Sequence, residues 1–356
     1  MSELDLAVVI VNWNVRDLLI GCLGSVRLAL DAAGLDGEIW VVDNASHDGS
    51  VEAISAQFAE VHLIASPVNL GFGGGNNLAL RAIGFSNVPG SPMVTVSGSQ
   101  LAICDLPGNP WLHAICDSRL LPRYVLLLNP DTLVREGALG EMVRFMDRRP
   151  RAGLCGPRLV YGDGRFQHAA YHFPSLAQVW LDFWPINWRL VESPLNGRYP
   201  RQLYAGSEPF PIDHPLGAAM LFRRETIQQT GGFDLDYHMY VEEIDWCMRV
   251  RRAGWEIDCV PGAEIVHYQG QSTRQVRPQM VVALWRSRYI LFRKHYTPFY
   301  RWAVRRIVRA GMRAQIRRTQ ALIKREKGEK GKGGKGEMDE STAQALIDAY
   351  QQVIEM

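Results

Sequence analysis

Three carboxylates, Glu242, Glu243 and Asp245, stand close together in the second half of the chain, beside Trp246. A carboxylate with a like charge and apolar side chains around it has a raised pKa, which suits a general base that takes a proton from a hydroxyl group. In the alternative interpretation, adjacent carboxylates at the start of a helix only complement the helix dipole. The spacing alone leaves both interpretations open.

A further acidic residue, Asp131, ends the sequence Asn-Pro-Asp that directly follows the apolar run Tyr124 to Leu128. A carboxylate at the end of a strand can hold Mg²⁺ or Mn²⁺ together with substrate phosphates and water. The alternative is that Asp131 caps a helix beginning near Glu136. His267 is a lone histidine after another strand-like run, and by itself such a residue is more often structural.

The elements that must position these residues alternate apolar strands with helical stretches, which is typical of parallel strands joined by crossover helices. The predicted strands are Leu6 to Val11, Glu38 to Val42, Val61 to Ala65 and Tyr124 to Leu128, with a helix from Val15 to Ala32. Ligands of such sheets bind beyond the carboxyl ends of the strands. Polar residues follow all four strands: Asn12, Asn14, Asp43, Asn44, Asn69, Asn129 and Asp131. One ligand crevice is therefore expected at this edge.

A glycine-rich segment, Asn69 to Asn77, follows the third strand and opens a helix. Its four glycines between Gly71 and Gly75 indicate that the backbone closely approaches a ligand or a crowded turn. The dinucleotide-binding template fails because Asn76 occupies the place of its third glycine, and the Lys-Ser/Thr of a phosphate-binding P-loop is missing. Kinase and NTPase chemistry are therefore disfavoured.

The 356 residues, 47% hydrophobic and 21% charged, suit one large or two ordinary globular domains. The net charge of +2 conceals a basic stretch from Ile265 to Arg325 with 15 Lys and Arg and no acidic residue. Such a stretch can meet nucleic acid, anionic lipid or a phosphorylated substrate. The six cysteines form no CxxC pair, and the first apolar run is too short for a secretory signal or a bilayer span. These features predict a reducing cytoplasmic location.

The motifs VIVNWN, VDNASHDGS, NLGFGGGNN, LLLNPDT, GAAMLFRRE, GGFDLDYHMYVEEIDWCMRVRRAGW and VHYQGQS occur in this order. In order and spacing they resemble the family 2 inverting glycosyltransferases of the GT-A fold, especially the rhamnosyltransferase-like and galactofuranosyltransferase-like branch, over about residues 5 to 295. The resemblance implies an α/β fold with a Rossmann-like, mostly parallel central sheet flanked by helices. It also implies transfer of a sugar from a nucleotide-sugar donor, dTDP-rhamnose first and UDP-sugars second. The acceptor would be a glycan or lipid-linked hydroxyl in cell-surface polysaccharide or glycolipid synthesis.

The same resemblance assigns roles by position. Glu243 stands where the family often has the aspartate taken as the catalytic base, although its longer side chain leaves Glu242 and Asp245 as alternatives. Asp131 keeps the last aspartate of the family's Asp-x-Asp and is expected to carry Mg²⁺ or Mn²⁺. His267 resembles the histidine that completes the metal site in some members. The implied donor-binding residues are Val11, Trp13, Asn14, Asp43, Asn69, Gly73, Gly74, Asn77, Asn129 and Asp131.

Four segments are expected along the chain. They are a nucleotide-sugar-binding half (1–131), an acceptor-binding and catalytic half of the same domain (132–280), a basic aromatic helical extension (281–326), and a flexible linker with a short helix (327–356). An insert of about residues 84–122, with a possible strand from Met93 to Val96, is foreign to the family pattern.

The aromatic residues among the arginines of the basic extension predict attachment to an anionic membrane, and its lack of an uninterrupted apolar span predicts that the attachment is peripheral, at the cytoplasmic face. Binding of nucleic acid is not expected. The alternative is a helix packed on the enzyme core. Its aromatic and aliphatic residues among the arginines are Trp285, Tyr289, Ile290, Leu291, Phe292, Phe299, Tyr300 and Trp302.

Two other functions compete with sugar transfer. A nucleotidyltransferase would share the crevice and the metal, but it needs basic residues around a transferred phosphorus that the region from Asp131 to Glu243 does not obviously supply. A non-catalytic nucleotide-sugar or carbohydrate-binding protein would share the fold. The joint presence of Asp131, Glu243 and His267 counts against it.

Overall fold

The computed structural model describes residues 4–90, 121–185, 190, 193–237, 239–268, 277–329 and 340–356. The predicted strand Met93 to Val96 lies outside these residues, as do most of the insert and most of the predicted linker. Within the described residues, backbone contacts divide the chain into two compact units. The first comprises Met1–His172, Tyr199–His238 and Glu242–Ser272, and the second comprises Phe173–Arg198, Met239–Val241 and Thr273–Met356.

The first unit begins with the predicted alternation of strands and helices. Its elements are β1 (Leu6–Asn12), α1 (Arg16–Ala33), β2 (Gly37–Asn44), α2 (Ser50–Gln57), β3 (His62–Ser66), α3 (Gly71–Ile83) and β4 (Tyr124–Leu128). Strand β1 pairs in parallel with both β2 and β4, and β2 pairs in parallel with β3. The apolar residues Leu6–Ile10 of β1 and Tyr124–Leu128 of β4 are buried on both faces, as expected for a parallel sheet covered by helices, whereas three of the five residues of β3 are partly exposed. The predicted parallel arrangement is confirmed.

The second part of the unit extends this sheet. It adds β5 (Thr132–Val134), α4 (Ala138–Arg148), β6 (Ala152–Val160), β7 (Phe166–Gln167), β8 (Ala170–Tyr171), β9 (Phe210–Pro211), β10 (His214–Pro215), β11 (Ala219–Arg223), α6 (Arg224–Thr230), α7 (Glu242–Arg252) and β12 (Glu256–His267). In the extended sheet the strand order is β3-β2-β1-β4-β11-β6-β12-β5, with β7 paired to β6 and β9 paired to β12, and β11 runs antiparallel to both of its neighbours. Strands β8 and β10 pair with each other in a separate two-stranded sheet.

This topology excludes one interpretation of Asp131. The residue is followed by β5, which pairs with β12, and α4 starts only at Ala138 with Gly137 at its N-cap position. The alternative that Asp131 caps a helix near Glu136 is therefore wrong. The short strand β5 lies between Asp131 and α4, so Asp131 is in the connection from β4 to β5.

The second unit is helical. It contains α5 (Leu176–Leu181), α8 (Arg277–His295), α9 (Pro298–Glu329) and α10 (Glu340–Glu355). Its core stacks Phe183 on Trp285 at 5.5 Å between ring centroids, and Gly311 of α9 leaves the space that Phe183 fills. Among the described residues, no helix is both long enough and apolar enough to cross a membrane.

Candidate functional site

The carboxyl ends of β1 and β2 are joined by a network of polar side chains. The Nδ2 of Asn12 donates to Oδ1 of Asp43 at 2.8 Å, and the second carboxylate oxygen of Asp43 accepts from the backbone N–H of Ser46 at 2.9 Å. The hydroxyl of Ser46 accepts from the backbone N–H of Asn14, which has a positive φ of 53°. Parallel pairing places these strand ends side by side, so residues 31 positions apart form one surface.

Two other predicted donor-binding residues flank this network. Trp13 keeps 42% of its surface exposed, so its ring can offer a stacking face to a planar ligand. Val11 lies against the glycine-rich segment, where a Cβ at Gly75 would stand 2.7 Å from its Cγ1. The glycine at position 75 is thus required by the close approach of α3 to β1.

The rest of the glycine-rich segment is held by asparagine side chains. Asn44 accepts from the backbone N–H of Leu70 and donates to the carbonyl of Gly71, while the side chain of Asn69 accepts from the N–H of Gly71. Gly74 is buried in the first turns of α3. The structure therefore places Asn69 and Gly74 at the edge that carries Asn12 and Asp43.

Gly73 and Asn77 face Phe233. A Cβ at Gly73 would lie 3.1 Å from the Cβ of Phe233. Asn77 is fully buried, accepts from the backbone N–H of Phe233 at 2.8 Å and donates to its carbonyl at 2.8 Å. These contacts give Asn77 a structural role in joining α3 to the turn before α7, and its predicted role in donor binding stays a prediction.

Asp131 and His267 are brought together by the antiparallel pairing of β5 with β12. The register opposes Thr132 to His267, and the backbone N–H of Tyr268 donates to the carbonyl of Asp131 at 2.9 Å. The His267 Nε2 lies 3.4 Å from Oδ1 of Asp131. Both side chains are largely buried, with relative exposures of 9% for Asp131 and 5% for His267.

A glutamine that the sequence analysis did not single out completes this arrangement. The Nε2 of Gln167, at the end of β7, lies 3.1 Å from Nδ1 of His267. Gln167 stands in an irregular aromatic stretch without any motif, so no sequence signal could have identified it. Within the described ranges, no group of three or more His, Cys, Asp or Glu residues is placed to hold a metal ion.

The three carboxylates of α7 have different surroundings. Asp245 is 1% exposed, accepts from the phenol of Tyr237 at 3.1 Å and forms an ion pair with Nε of Arg249 at 2.8 Å. Glu242 is buried, and its Oε2 has no hydrogen-bond partner among the residues that the structure describes. Glu243 is partly buried. The contacts of Asp245 favour a structural role for it over the role of base.

Burial raises the pKa of the Glu243 carboxyl above its ordinary range. The pKa of Glu242 is raised by burial first and by the neighbouring charge of Glu243 second. The two residues that precede α7, Tyr240 and Val241, have positive φ values of 67° and 61°. Such a conformation is rare for a β-branched residue and is concentrated at functional sites.

The end of β4 is linked to Glu243 through the segment that precedes β11. The backbone N–H of Asn129 donates to the carbonyl of Ala218 at 2.9 Å. The adjacent Gly217 approaches Glu243 so closely that a Cβ at 217 would lie 3.5 Å from its Cγ. The segment Gly217–Ala218 therefore contacts both Glu243 and Asn129, which lies two residues before Asp131.

Comparisons with known proteins agree with this arrangement. Residues 124–324 match the family described as "Glycosyl transferase family group 2", and residues 7–84 match "Glycosyl transferase family 2". The chain is 28% identical over 312 residues to the N-acetylglucosaminyl-diphospho-decaprenol L-rhamnosyltransferase of Mycobacterium tuberculosis (strain H37Rv), covering 86% of this chain and 90% of that protein. It is 26% identical over 155 residues to rhamnosyltransferase WbbL of Escherichia coli (strain K12), covering 42% of this chain and 54% of that protein.

The fold is also that of a solved glycosyltransferase. The mannosyltransferase PcManGT of Pyrobaculum calidifontis, in complex with GDP-Man and Mn²⁺, superposes with a TM-score of 0.51 over 99% of this chain and 86% of that chain, at 13% identity. The predicted α/β architecture with a mostly parallel central sheet and a helical C-terminal extension is thereby confirmed. With a family match spanning more than half of its residues, the chain belongs to the family 2 glycosyltransferases.

Proposed function

We propose that this glycosyltransferase moves L-rhamnose from a nucleoside-diphosphate donor, dTDP-rhamnose before UDP-sugars, to a hydroxyl of a lipid-linked N-acetylglucosaminyl diphosphate in cell-wall polysaccharide synthesis. The observation that carries this proposal is the similarity to the mycobacterial rhamnosyltransferase along 86% of this chain. A second rhamnosyltransferase is similar over a shorter range.

The proposed reaction is a single displacement at the anomeric carbon, with inversion of configuration. Glu243 takes the proton of the acceptor hydroxyl as the new C–O bond forms and the bond to the diphosphate breaks. Burial supports this role, because a desolvated carboxylate holds a proton more tightly than one in water.

We further propose that a divalent cation, Mg²⁺ or Mn²⁺, is held by Asp131 and His267. The donor set fits: a carboxylate oxygen and an imidazole nitrogen 3.4 Å apart can both reach one ion at bond lengths of about 2.1 Å. Two protein ligands suffice for a cation that also binds substrate phosphates and water. When bound, the cation would neutralise the charge of the departing diphosphate.

The donor assay separates this function from its rivals. Purified protein is mixed with dTDP-rhamnose or a UDP-sugar, Mn²⁺ and a synthetic N-acetylglucosaminyl-diphospho-polyprenol, and free nucleoside diphosphate and product are measured. Transfer of rhamnose supports the proposal, whereas transfer of another sugar would show that dTDP-rhamnose is not the donor. Donor binding without any turnover would indicate a non-catalytic binding protein, and release of sugar 1-phosphate from the donor would indicate a nucleotidyltransferase.

A membrane-facing role is proposed for the second unit. Trp285, Leu291 and Phe292 are buried in this unit, so they are unavailable to lipid and the sequence-based aromatic set must be corrected. Phe299 and Trp302 are 70% and 55% exposed and stack at 6.0 Å. The arginines exposed on the same helix are Arg305, Arg306, Arg309, Arg313, Arg317 and Arg318.

Exposed aromatics beside cations suit the interface of an anionic bilayer. Replacing Phe299 and Trp302 together by serine should lower partitioning onto phosphatidylglycerol vesicles about tenfold, because part of the apolar area of two rings is no longer buried. Leu322→Ser, which removes another exposed apolar side chain of α9, is the matched control. Equal flotation of the wild type and the double variant would reject this surface.

A further inference from the structure

Gln167 makes a buried contact with His267 that the proposed mechanism has not yet used. It lies opposite Leu159 of β6 and is 3% exposed. Its amide stands 3.1 Å from Nδ1 of His267, and the other atom of the amide has no hydrogen-bond partner among the described residues. The glutamine therefore contacts the side of the imidazole opposite to the side that faces Asp131.

The contact fixes the tautomer of the imidazole. If the amide N–H donates to Nδ1, the ring must carry its proton on Nε2, and this N–H points at Asp131. If the amide oxygen faces Nδ1, the ring carries its proton there, and the lone pair of Nε2 faces Asp131 instead. Only the second arrangement lets Nε2 bind a cation, since a metal needs a deprotonated nitrogen.

The 3.4 Å between Nε2 and the carboxylate favours the second arrangement. It is longer than the 2.7–3.2 Å of an ordinary N–H···O hydrogen bond, so a proton on Nε2 would make no such bond to Asp131. With Nε2 of Gln167 toward the ring, as the structure places it, the buried Oε1 has no hydrogen-bond partner among the described residues. Turning the amide by 180° brings this oxygen to Nδ1, where it accepts the Nδ1–H.

We propose that Gln167 is a positioning residue for the metal site: its amide oxygen accepts the Nδ1–H of His267 and so directs the Nε2 lone pair of the ring toward a divalent cation shared with Asp131. The proposal rests on the proposed role of Asp131 and His267. It adds a residue that has no contact with the donor or the acceptor in this mechanism.

Two substitutions distinguish this role from a merely structural one. Gln167→Glu keeps an acceptor oxygen at the same reach, whereas Gln167→Leu keeps a similar volume without an acceptor. Mn²⁺ binding is measured by electron paramagnetic resonance of the free ion, with dTDP present. Leucine should weaken Mn²⁺ binding about 10–100-fold, and glutamate should retain it within about threefold. Gln178→Leu, in the other unit, should leave binding unchanged and serves as the control.

A spectroscopic measurement completes the test. Long-range ¹H–¹⁵N correlation spectra with Mg²⁺, assigned by the loss of signals in His267→Gln, should show the Nδ1–H tautomer in the wild type. Unchanged Mn²⁺ affinity in a folded Gln167→Leu, or equal weakening by glutamate and leucine, would overturn the role of Gln167. Absence of Mn²⁺ binding in the wild type would instead reject the metal site itself, so the two failures are distinguishable.

Discussion

The two acidic regions of the first unit differ in what surrounds their carboxylates. Asp131 has an imidazole at 3.4 Å and directly precedes β5, whose pairing with β12 fixes its position. Glu242 and Glu243 begin a helix, and burial without a cationic partner among the described residues raises their pKa values. Asp245, two residues further on, is paired with Arg249.

This difference shows that the surroundings, more than the residue type, decide what a carboxylate does. A carboxylate beside a nitrogen ligand suits a cation, and a desolvated carboxylate suits proton transfer. A carboxylate that is already paired with a guanidinium is held in the fold. The role of each of these four acids can be tested separately by substitution.

The largest effect is expected at Asp131. Asp131→Ala removes one of two proposed protein ligands of the cation, so turnover should fall at least about 10³-fold and nucleoside-diphosphate binding should weaken in Mn²⁺. Binding is measured by calorimetry with and without EDTA. Full activity of the variant, or undiminished turnover of the wild type in EDTA, would contradict the assignment.

A smaller effect is expected at Glu243. Glu243→Gln preserves the shape of the side chain and removes its basicity, so turnover should fall at least about 10²-fold while donor binding is unchanged. Steady-state kinetics and donor titration measure the two quantities separately. Near-normal turnover in this variant, with loss in Glu242→Gln, would show that the base is Glu242.

Asp245→Asn supplies the matched control on the same helix. It breaks the ion pair with Arg249 and weakens the bond from Tyr237, so it should lower the melting temperature. The folded fraction should keep its turnover number to within a few-fold. A loss of turnover as large as that of Glu243→Gln, at unchanged stability, would break the distinction between structural and catalytic acids.

The smallest effect is expected at Glu242 and concerns stability. Because its pKa is raised in the folded state, ionisation of Glu242 costs stability. This cost is absent below the unfolded pKa of about 4.3, grows as the pH rises toward the folded value, and is complete above it. Glu242→Gln should therefore add on the order of 1–3 kcal/mol at pH 9 and almost nothing at pH 4.

Thermal unfolding at both pH values measures this gain. It should be smaller when Glu243→Gln is also present, because the neighbouring negative charge contributes to the shift. A gain that is equal at both pH values would show that the substitution acts through packing, and not through the ionisation of Glu242.

The sequence predicted the first half of the fold closely. The strand Tyr124–Leu128 was predicted to the residue, and the three strands before it lie within two residues of their predicted ends. Apolar runs bounded by polar residues are local signals, so they identify buried strands without knowledge of the neighbours. The motif order in addition indicated the family, which the family match confirmed.

Other features of the fold could not be predicted from the sequence. The antiparallel strand β11 lies between β4 and β6, although 59 or more positions of the chain separate it from either strand. The aromatic stretch that begins at Phe173 belongs to the same compact unit as the C-terminal helices. Such strand pairings and packing contacts depend on which surfaces come together on folding, and the periodicity of the sequence gives no signal of them.

The candidate site also combines features that the sequence predicts with features that only the tertiary structure sets. By itself the sequence determined which residue types are available: Asp131 after a strand, Glu242 and Glu243 at the start of a helix, and a lone His267. Only the tertiary structure decided that His267 faces Asp131, that Gln167 lies behind the imidazole and that Asp245 is paired with Arg249. The physical reason is that the register of β5 and β12 and the burial of α7 set these distances and desolvate these charges, and both arise from contacts between residues far apart in the chain.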